Sequence, residues 1–350
     1  MISEYSSKTD VKSLLPEELG DIFSELKLPS YRSGQVFKWL SAGVTDFDAM
    51  TNLPLKFRTY LKNNYYITAP EVIRKQVSAI DGTIKYLWRL TDGNSVESVV
   101  MEYEHGNTVC ISSQVGCRMG CAFCASTLGG LVRDLAPSEM LDQVLFSQID
   151  SGKKISNIVL MGIGEPLDNY DSVMKFLRIV NHPSGMNIGM RHISLSTCGI
   201  IENIDKLADN NLQLTLSVSL HAPDDETRSA LMPINRKYSV SMLFDACRRY
   251  FKKTGRRISF EYAMVGGVND TDSHAAMLAD RLSGTGSHVN LIPLNAVRER
   301  SLSASSPERI KAFVKVLRDR GVNVTVRRRL GSDIDASCGQ LRRKEGHINS

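Results

Sequence analysis

Cys117-Arg118-Met119-Gly120-Cys121-Ala122-Phe123-Cys124 sets three thiols within eight residues, spaced C-x3-C-x2-C. Sulfurs so close cannot all pair with one another, and three is one short of the four ligands that close a structural zinc site. Soft thiolates select zinc or an iron–sulfur cluster. A four-iron cluster normally takes four cysteines, so three leave one iron open, which is useful only where something must bind that iron. Gly120 permits a tight turn, and Phe123 can shield one face of the metal from water. The same loop also admits a zinc knuckle completed by a distant Cys or His.

Beyond this loop, short apolar runs alternate with amphipathic stretches. Ile155–Met161, Ile193–Ser196, Leu212–Leu220, Ile258–Tyr262, His288–Pro293 and Val322–Val326 have the character of strands. Residues 137–150, 169–181, 200–209, 239–254, 272–283 and 306–319 form the helices between them. The alternation predicts an α/β fold with a parallel sheet whose ligands gather at the strands' C-terminal ends. Five or six such units suit a partial, open β/α barrel better than a closed eightfold one. Before the loop, Thr83–Leu90 alternates between Asp81-Gly82 and Asp92-Gly93, a hairpin pattern that predicts a small antiparallel β extension. Earlier still, Pro16 with Leu19, Ile22, Phe23 and Leu26, then Val36, Phe37 and Leu40, then Leu55, Tyr60 and Leu61, predict three helices. The expected organisation is a helical accessory domain over 1–70, a β extension over 71–109, the barrel core over 110–340 and a basic tail over 341–350.

Composition fits that outline. The 350 residues are 42% hydrophobic and 23% charged, as in an ordinary soluble globular chain. No window approaches the ~18 uncharged apolar residues of a membrane span. The first ten residues lack the charged-then-apolar layout of a secretory signal, which points to the cytosol. Seven cysteines, four of them within 110–124, suit metal or redox chemistry in a reducing compartment better than disulfide staples. The net charge is a mild +5, but the cations cluster: Arg248, Arg249, Lys252, Lys253, Arg256 and Arg257; Arg327, Arg328 and Arg329; Arg342, Arg343 and Lys344. Such runs hold phosphates or form solvated helix and strand ends.

C-x3-C-x2-C after a strand, opening an α/β barrel, resembles the radical S-adenosylmethionine (radical SAM) superfamily. Gly162-Ile163-Gly164-Glu165-Pro166 follows a strand where that superfamily contacts the methionine amino group. Further stretches narrow the match: Cys110–Cys117, Met161–Tyr170, Ser217–Pro223, Leu231–Asn235, Asn290–Asn295, Gly331–Leu341 and the helical Tyr31–Leu61 segment with Phe47-Asp48-Ala49-Met50. Together they are similar to the RlmN-type RNA methyltransferases, which methylate C2 of an adenosine in 23S rRNA at the peptidyl transferase centre and, in some members, in tRNA beside the anticodon.

The resemblance implies a [4Fe-4S] cluster on Cys117, Cys121 and Cys124, and two S-adenosylmethionine molecules per turnover. It implies cofactor contacts at Gly164, Glu165, Ser196, Ser219, Leu220, His221 and Asn295. Adenine C2 lies between two ring nitrogens and cannot attack a sulfonium methyl, so a radical route is needed. By the resemblance, Cys338 is the methyl carrier: its thiolate is methylated by one S-adenosylmethionine, and a deoxyadenosyl radical from the second takes hydrogen from the S-methyl group. The carbon radical adds to C2, the C2 proton leaves, and Cys110 attacks the Cys338 sulfur to leave a disulfide. Glu97 matches the family's proton acceptor, a role that Cys110 also suits. The implied partners are 23S rRNA, tRNA, an electron donor of flavodoxin or ferredoxin type and a thiol reductant, for a monomer with no membrane. The basic runs then hold phosphates around the barrel mouth, and the 1–70 domain, with Lys38, Trp39, Arg58 and Lys62, binds RNA. Cys247 is core packing; Cys198 stands where the family often has Ser, an added thiol near the cofactor. Two alternatives remain at this point: a Cfr-like adenosine C8 methyltransferase, and a non-catalytic zinc-stabilised RNA-binding module.

Overall fold

The computed structural model describes residues 8–295 and 297–341. Arg342, Arg343 and Lys344, and with them nearly all of the expected basic tail, lie outside the described residues. Short β1 (Thr9–Asp10) leads into α1 (Pro16–Glu25), α2 (Tyr31–Ser41) and α3 (Leu55–Asn64), and β2 (Tyr65–Tyr66) returns to pair with β1. Pro16 opens α1 at a position that needs no amide hydrogen, and the Glu18 carboxylate accepts from the Leu15 amide at 2.7 Å. An antiparallel meander follows: β3 (Glu71–Val77), β4 (Ile84–Arg89), β5 (Ser95–Tyr103) and β6 (Gly106–Cys110). Then β7 (Gln114–Gly116) and β8 (Leu131–Asp134) form a two-stranded flap around the three-cysteine loop.

The remainder alternates as expected: α4 (Pro137–Ser151), β9 (Ile155–Leu160), α5 (Tyr170–Asn181), β10 (Ile193–Thr197), α6 (Ile201–Asp209) and β11 (Thr215–Ser219). It continues through α7 (Asp225–Leu231), α8 (Val240–Thr254), β12 (Ser259–Met264), α9 (Asp272–Leu282), β13 (His288–Pro293), α10 (Pro307–Asp319) and β14 (Asn323–Val326). One ten-stranded sheet runs β14-β13-β12-β11-β10-β9-β6-β5-β4-β3. From β6 to β14 every neighbouring pair in it is parallel, and its two ends do not meet, so the barrel is open.

Two features depart from the sequence reading. The strand expected over Leu212–Leu220 begins only at Thr215, and α7, a short helix capped by Asp224, was not anticipated. Parallel pairing puts the C-terminal ends of β6 and β9–β14 on one edge of the sheet. The basic run 248–257 precedes β12 and therefore lies at the other edge. There Arg249 pairs with Asp205 at 2.7 Å, Lys253 with Asp209, and Arg248 with Asp245. These cations are internal helix partners and do not surround the barrel mouth.

The N-terminal helices pack on α4 and α5. Lys12 is fully buried and pairs with Asp142 of α4 at 2.7 Å, while its ammonium also donates to the Thr68 carbonyl. Lys175 and Arg178 of α5 meet Glu18 and Glu17 of α1. Arg58 and Lys62 are turned toward Asp48 within the same unit, and Trp39 donates to Asn52 at 2.7 Å. Burial is the larger influence on Asp142 and pushes its carboxyl up to about 6 despite Lys12. Removing one partner of a buried pair strands the other charge. Lys12→Met is therefore expected to cost about 3–5 kcal/mol in chemical denaturation. The double variant Lys12→Met/Asp142→Leu should recover most of that loss.

Candidate active site

Three glycines shape the approach to the three-cysteine loop. At Gly116 φ is +78°, and a Cβ would lie 1.9 Å from the Gly130 carbonyl oxygen. At Gly162 a Cβ would lie 2.6 Å from the Ile111 oxygen, and at Gly164, with φ +102°, 2.6 Å from the Gln114 side chain. Only glycine lets the flap, the loop after β6 and the loop after β9 approach this closely. The cysteine loop is fastened by Cys117 N–H to Gly130 (3.0 Å), Ala122 N–H to Leu231 (2.9 Å) and the Thr127 hydroxyl to the Cys124 carbonyl (3.0 Å). Arg300 donates to the Thr127 hydroxyl at 2.9 Å from the loop after β13.

Cys117, Cys121 and Cys124 all line one partly open cavity of about 160 Å³. Burial pushes the Cys117 thiol up to about 12 and raises Cys121 and Cys124, and Cys124 and Cys117 each further raise Cys121. Among the described residues no three His, Cys, Asp or Glu side chains converge as ligands of a single ion. Thiols that share a cavity wall and repel one another as thiolates suit a multi-iron cluster, which takes each sulfur at a different corner and displaces its proton.

The other cavity walls come from the C-terminal edge of the sheet. Gly164 and Glu165 follow β9, Ser196 is the last but one residue of β10, Ser219 ends β11, and His221 and Asn295 lie just beyond β11 and β13; all six line the cavity. Burial raises the Glu165 carboxyl, opposed by backbone hydrogen bonds from Cys198 (2.8 Å) and Leu167 (3.1 Å). His221 adopts φ +58°, and its Nδ1 accepts from the Ala263 amide at 2.8 Å. Burial, with the Arg228 charge, lowers His221 to about 3, so the ring is neutral and carries its hydrogen on Nε2. Leu220 does not line the cavity. Its side chain is in the core, its amide donates to Glu261 and its carbonyl accepts from Arg228. Cys198 lines the cavity beside Glu165, and Cys247 is buried in α8.

Cys338 lines the same cavity although it belongs to the last described segment. Ala125 N–H donates to the Gly339 carbonyl at 2.8 Å, the Ser126 hydroxyl to Leu341 at 2.7 Å, and the Asn295 amide to the Cys338 carbonyl at 3.1 Å. On the other side, Asp333 accepts from Ser78 (2.7 Å) and the Ala79 amide (2.9 Å), and Lys85 donates to the Asp335 carbonyl at 2.9 Å. Cys110, at the end of β6, packs in one apolar cluster with Met101, Ile163, Ala336 and Leu341. Burial first, and then the charge of Cys338, pushes the Cys110 thiol up to about 12. Glu97 lies near the start of β5, outside the cavity lining, in a buried ion pair with Lys85 at 3.0 Å.

Two residues at the site escaped the sequence reading. Glu261 of β12 is a buried cavity residue, raised by burial and hydrogen-bonded to Asn290 at 2.9 Å. A carboxylate inside the apolar run Ile258–Tyr262 was the available signal. Arg327, read as one of three phosphate-holding arginines, instead turns inward, 3.9 Å from Glu261, and is raised chiefly by the Cys338 thiol. Arg328 and Arg329 beside it are exposed.

Comparison with known proteins agrees with this geometry. The family model described as the radical SAM superfamily matches residues 111–282, and that of the ribosomal RNA large subunit methyltransferase N-terminal domain matches 9–67. A Clostridium tetani protein named probable dual-specificity RNA methyltransferase RlmN is 52% identical, over 95% of this chain and 96% of its own. One of the same name from Alkaliphilus oremlandii is 52% identical over 96% and 98% of the two chains. The crystal structure of a radical SAM methyltransferase from Sphaerobacter thermophilus superposes with a TM-score of 0.90 at 44% identity, covering 95% of this chain and 99% of that one. With relatives this similar over nearly the whole chain the zinc-module alternative falls away: the chain belongs to the RlmN family of radical SAM methyltransferases.

Proposed function

We propose that the protein methylates C2 of adenosine in 23S rRNA and in tRNA, with Cys338 as methyl carrier and Cys110 as the thiol that releases the product. The observation that carries this reading is that the segment bearing Cys338 packs on Cys110 from the far end of the chain: Ala336 and Leu341, on either side of Cys338, share one apolar cluster with Cys110. The names of the relatives support RNA as substrate and dual specificity.

Cys117, Cys121 and Cys124 would hold a [4Fe-4S] cluster, and the cavity they line would take S-adenosylmethionine beside it. The Glu165 carboxylate suits the ammonium, Ser196 and Ser219 the ribose or carboxylate, and the Nε2–H of His221 and the amide of Asn295 the remaining polar edges. When bound, these groups supply the methyl for Cys338, removal of a hydrogen atom from the S-methyl group, and uptake of the electron that the RNA adduct gives up.

The protein's own residues do the rest. Arg327 lines the same cavity as Cys338, whose sulfur must displace a methyl from the sulfonium. Methylated Cys338 bonds through its carbon to adenine C2, joining RNA to protein. A base takes the C2 proton; Glu97, with Lys85 beside it, and Cys110 both lie toward the edge where β6 ends. The Cys110 thiolate then attacks the Cys338 sulfur, the sulfur–carbon bond breaks toward the product, which takes a proton, and a disulfide remains for an external thiol to reduce. The target base must leave its stack to reach Cys338. Exposed Arg328 and Arg329 suit phosphates at that mouth, and the 1–70 unit suits an accessory role in holding RNA.

Cys338→Ala is expected to abolish methyl transfer while retaining iron and visible absorbance. Methylated RNA from that variant, measured by nucleoside mass spectrometry, would exclude the carrier role. The same measurement on the parent protein should place the methyl on C2, and a C8 product would assign the Cfr-like chemistry instead. Cys110→Ala should accumulate RNA covalently attached to Cys338, seen as a shifted band in denaturing gels. Because burial raises the Cys110 thiol, its thiolate fraction grows about tenfold per pH unit below about 12. Single-turnover product release should therefore accelerate from pH 7 to 9, and a flat profile would place another group at that step.

A further inference from the structure

The cavity has two neighbours with separate linings. One is a recess formed by Arg327–Leu330 and Ala336–Cys338, which shares Ile292, Asn295, Arg327 and Cys338 with it. The other is an open groove that includes residues of the cysteine loop. Its floor is Met119, Ile200, Pro233 and Ile234, and exposed Arg236 and Lys237 stand on its rim. Among the described lining residues, Met119 alone faces both the groove and the cavity. Met119 lies between Cys117 and Cys121, so the groove abuts the loop that would carry the cluster.

The wall is a firm one. Gly120 turns with φ +72° so that a Cβ there would sit 3.4 Å from Pro233, and Ala122 donates to the Leu231 carbonyl at 2.9 Å. A partner resting on the 233–238 segment thus rests on the same body as the cysteines. The rim is cationic in balance. Asp168 is only 11% exposed and is taken by Arg118 and Gln114, whereas Arg118 is itself 61% exposed. Lys237 lies over the Tyr238 ring at 4.6 Å and is 3.6 Å from Glu202, while Arg236 stands exposed beside it. An apolar floor inside a basic rim fits the small, transient interface of an electron-transfer encounter, steered by charge. Electron tunnelling falls off exponentially with distance, so a donor must seat where the wall is thin.

We propose that this groove docks an acidic one-electron carrier protein, of low-potential flavin or iron–sulfur type, which reduces the cluster across Met119. The inference rests on the radical SAM reading of the three cysteines. It gives electron entry and RNA entry surfaces with no lining residue in common, so that the two partners need not compete.

The test uses reconstituted full-length protein and stopped-flow bleaching of its visible absorbance by photoreduced flavodoxin, with dithionite as a small reductant that needs no docking. For Arg236→Glu/Lys237→Glu, the flavodoxin concentration at half-maximal rate should rise tenfold or more and lose most of its dependence on salt. Dithionite bleaching and RNA affinity should match the parent. The neutral pair Arg236→Gln/Lys237→Gln should fall between, which distinguishes lost charge from lost structure. Unchanged flavodoxin kinetics in both variants would overturn the proposal. Weakened RNA binding with intact flavodoxin kinetics would overturn it too, and assign the groove to RNA. A parent protein that binds iron yet is bleached by neither reductant would defeat the radical SAM reading itself.

Discussion

The hydrogen bond from Ala125 to the Gly339 carbonyl, 2.8 Å long, joins the three-cysteine loop to the segment that carries Cys338. Chemistry that passes from a metal cluster to a methylated thiol needs those groups held at fixed separation, because a carbon radical reacts with whatever lies nearest. Ser126 to Leu341 and Asn295 to Cys338 reinforce the same junction. Asp333 and Lys85 anchor the other side of the segment to the turn after β3 and to β4. Ordering an irregular stretch costs conformational entropy at every residue. Here that cost is offset by hydrogen bonds to three separate parts of the fold, which is why the antiparallel extension belongs to the site as well as to the sheet.

A single topological fact brings the rest together. In a parallel sheet every strand ends on the same edge, and ligands collect there. Glu165, Ser196, Ser219, Asn295 and Arg327 come from five different strand ends and still face one cavity. Cys110 ends on the same edge, packed behind it in an apolar cluster, because β6 runs parallel to β9. The same topology sends the 248–257 run to the opposite edge, where Arg248, Arg249 and Lys253 pair with aspartates along α6 and α8. Charge density along the sequence is a poor guide to charge around a site when helix and strand directions are ignored.

Much of the fold was legible because its signals are periodic and local. The strand His288–Pro293 and the helices after Asn169, Ser239 and Ser306 begin or end where apolar spacing and caps put them. The cavity residues after strand ends were legible through motif spacing around Gly164, Ser219 and Asn295. What escaped depends on tertiary direction. Arg327, Arg328 and Arg329 are equivalent in sequence, yet only Arg327, the first residue after β14, is turned inward toward Glu261, while Arg328 and Arg329 are exposed. Lys85 carries no local sign that it will be buried against Glu97. Short α7 begins just after an aspartate cap and spans too few residues for its periodicity to stand out.

The account stands or falls on whether Cys338 carries the methyl group on its way to RNA. Reconstituted protein incubated without oxygen, with reductant and S-adenosylmethionine labelled in its methyl group but with no RNA, can be digested and its cysteine peptides weighed by mass spectrometry. The expected result is label on the Cys338 peptide alone, which then passes to RNA when RNA is added. Labelled RNA formed while the Cys338 peptide never acquires the methyl would contradict the account.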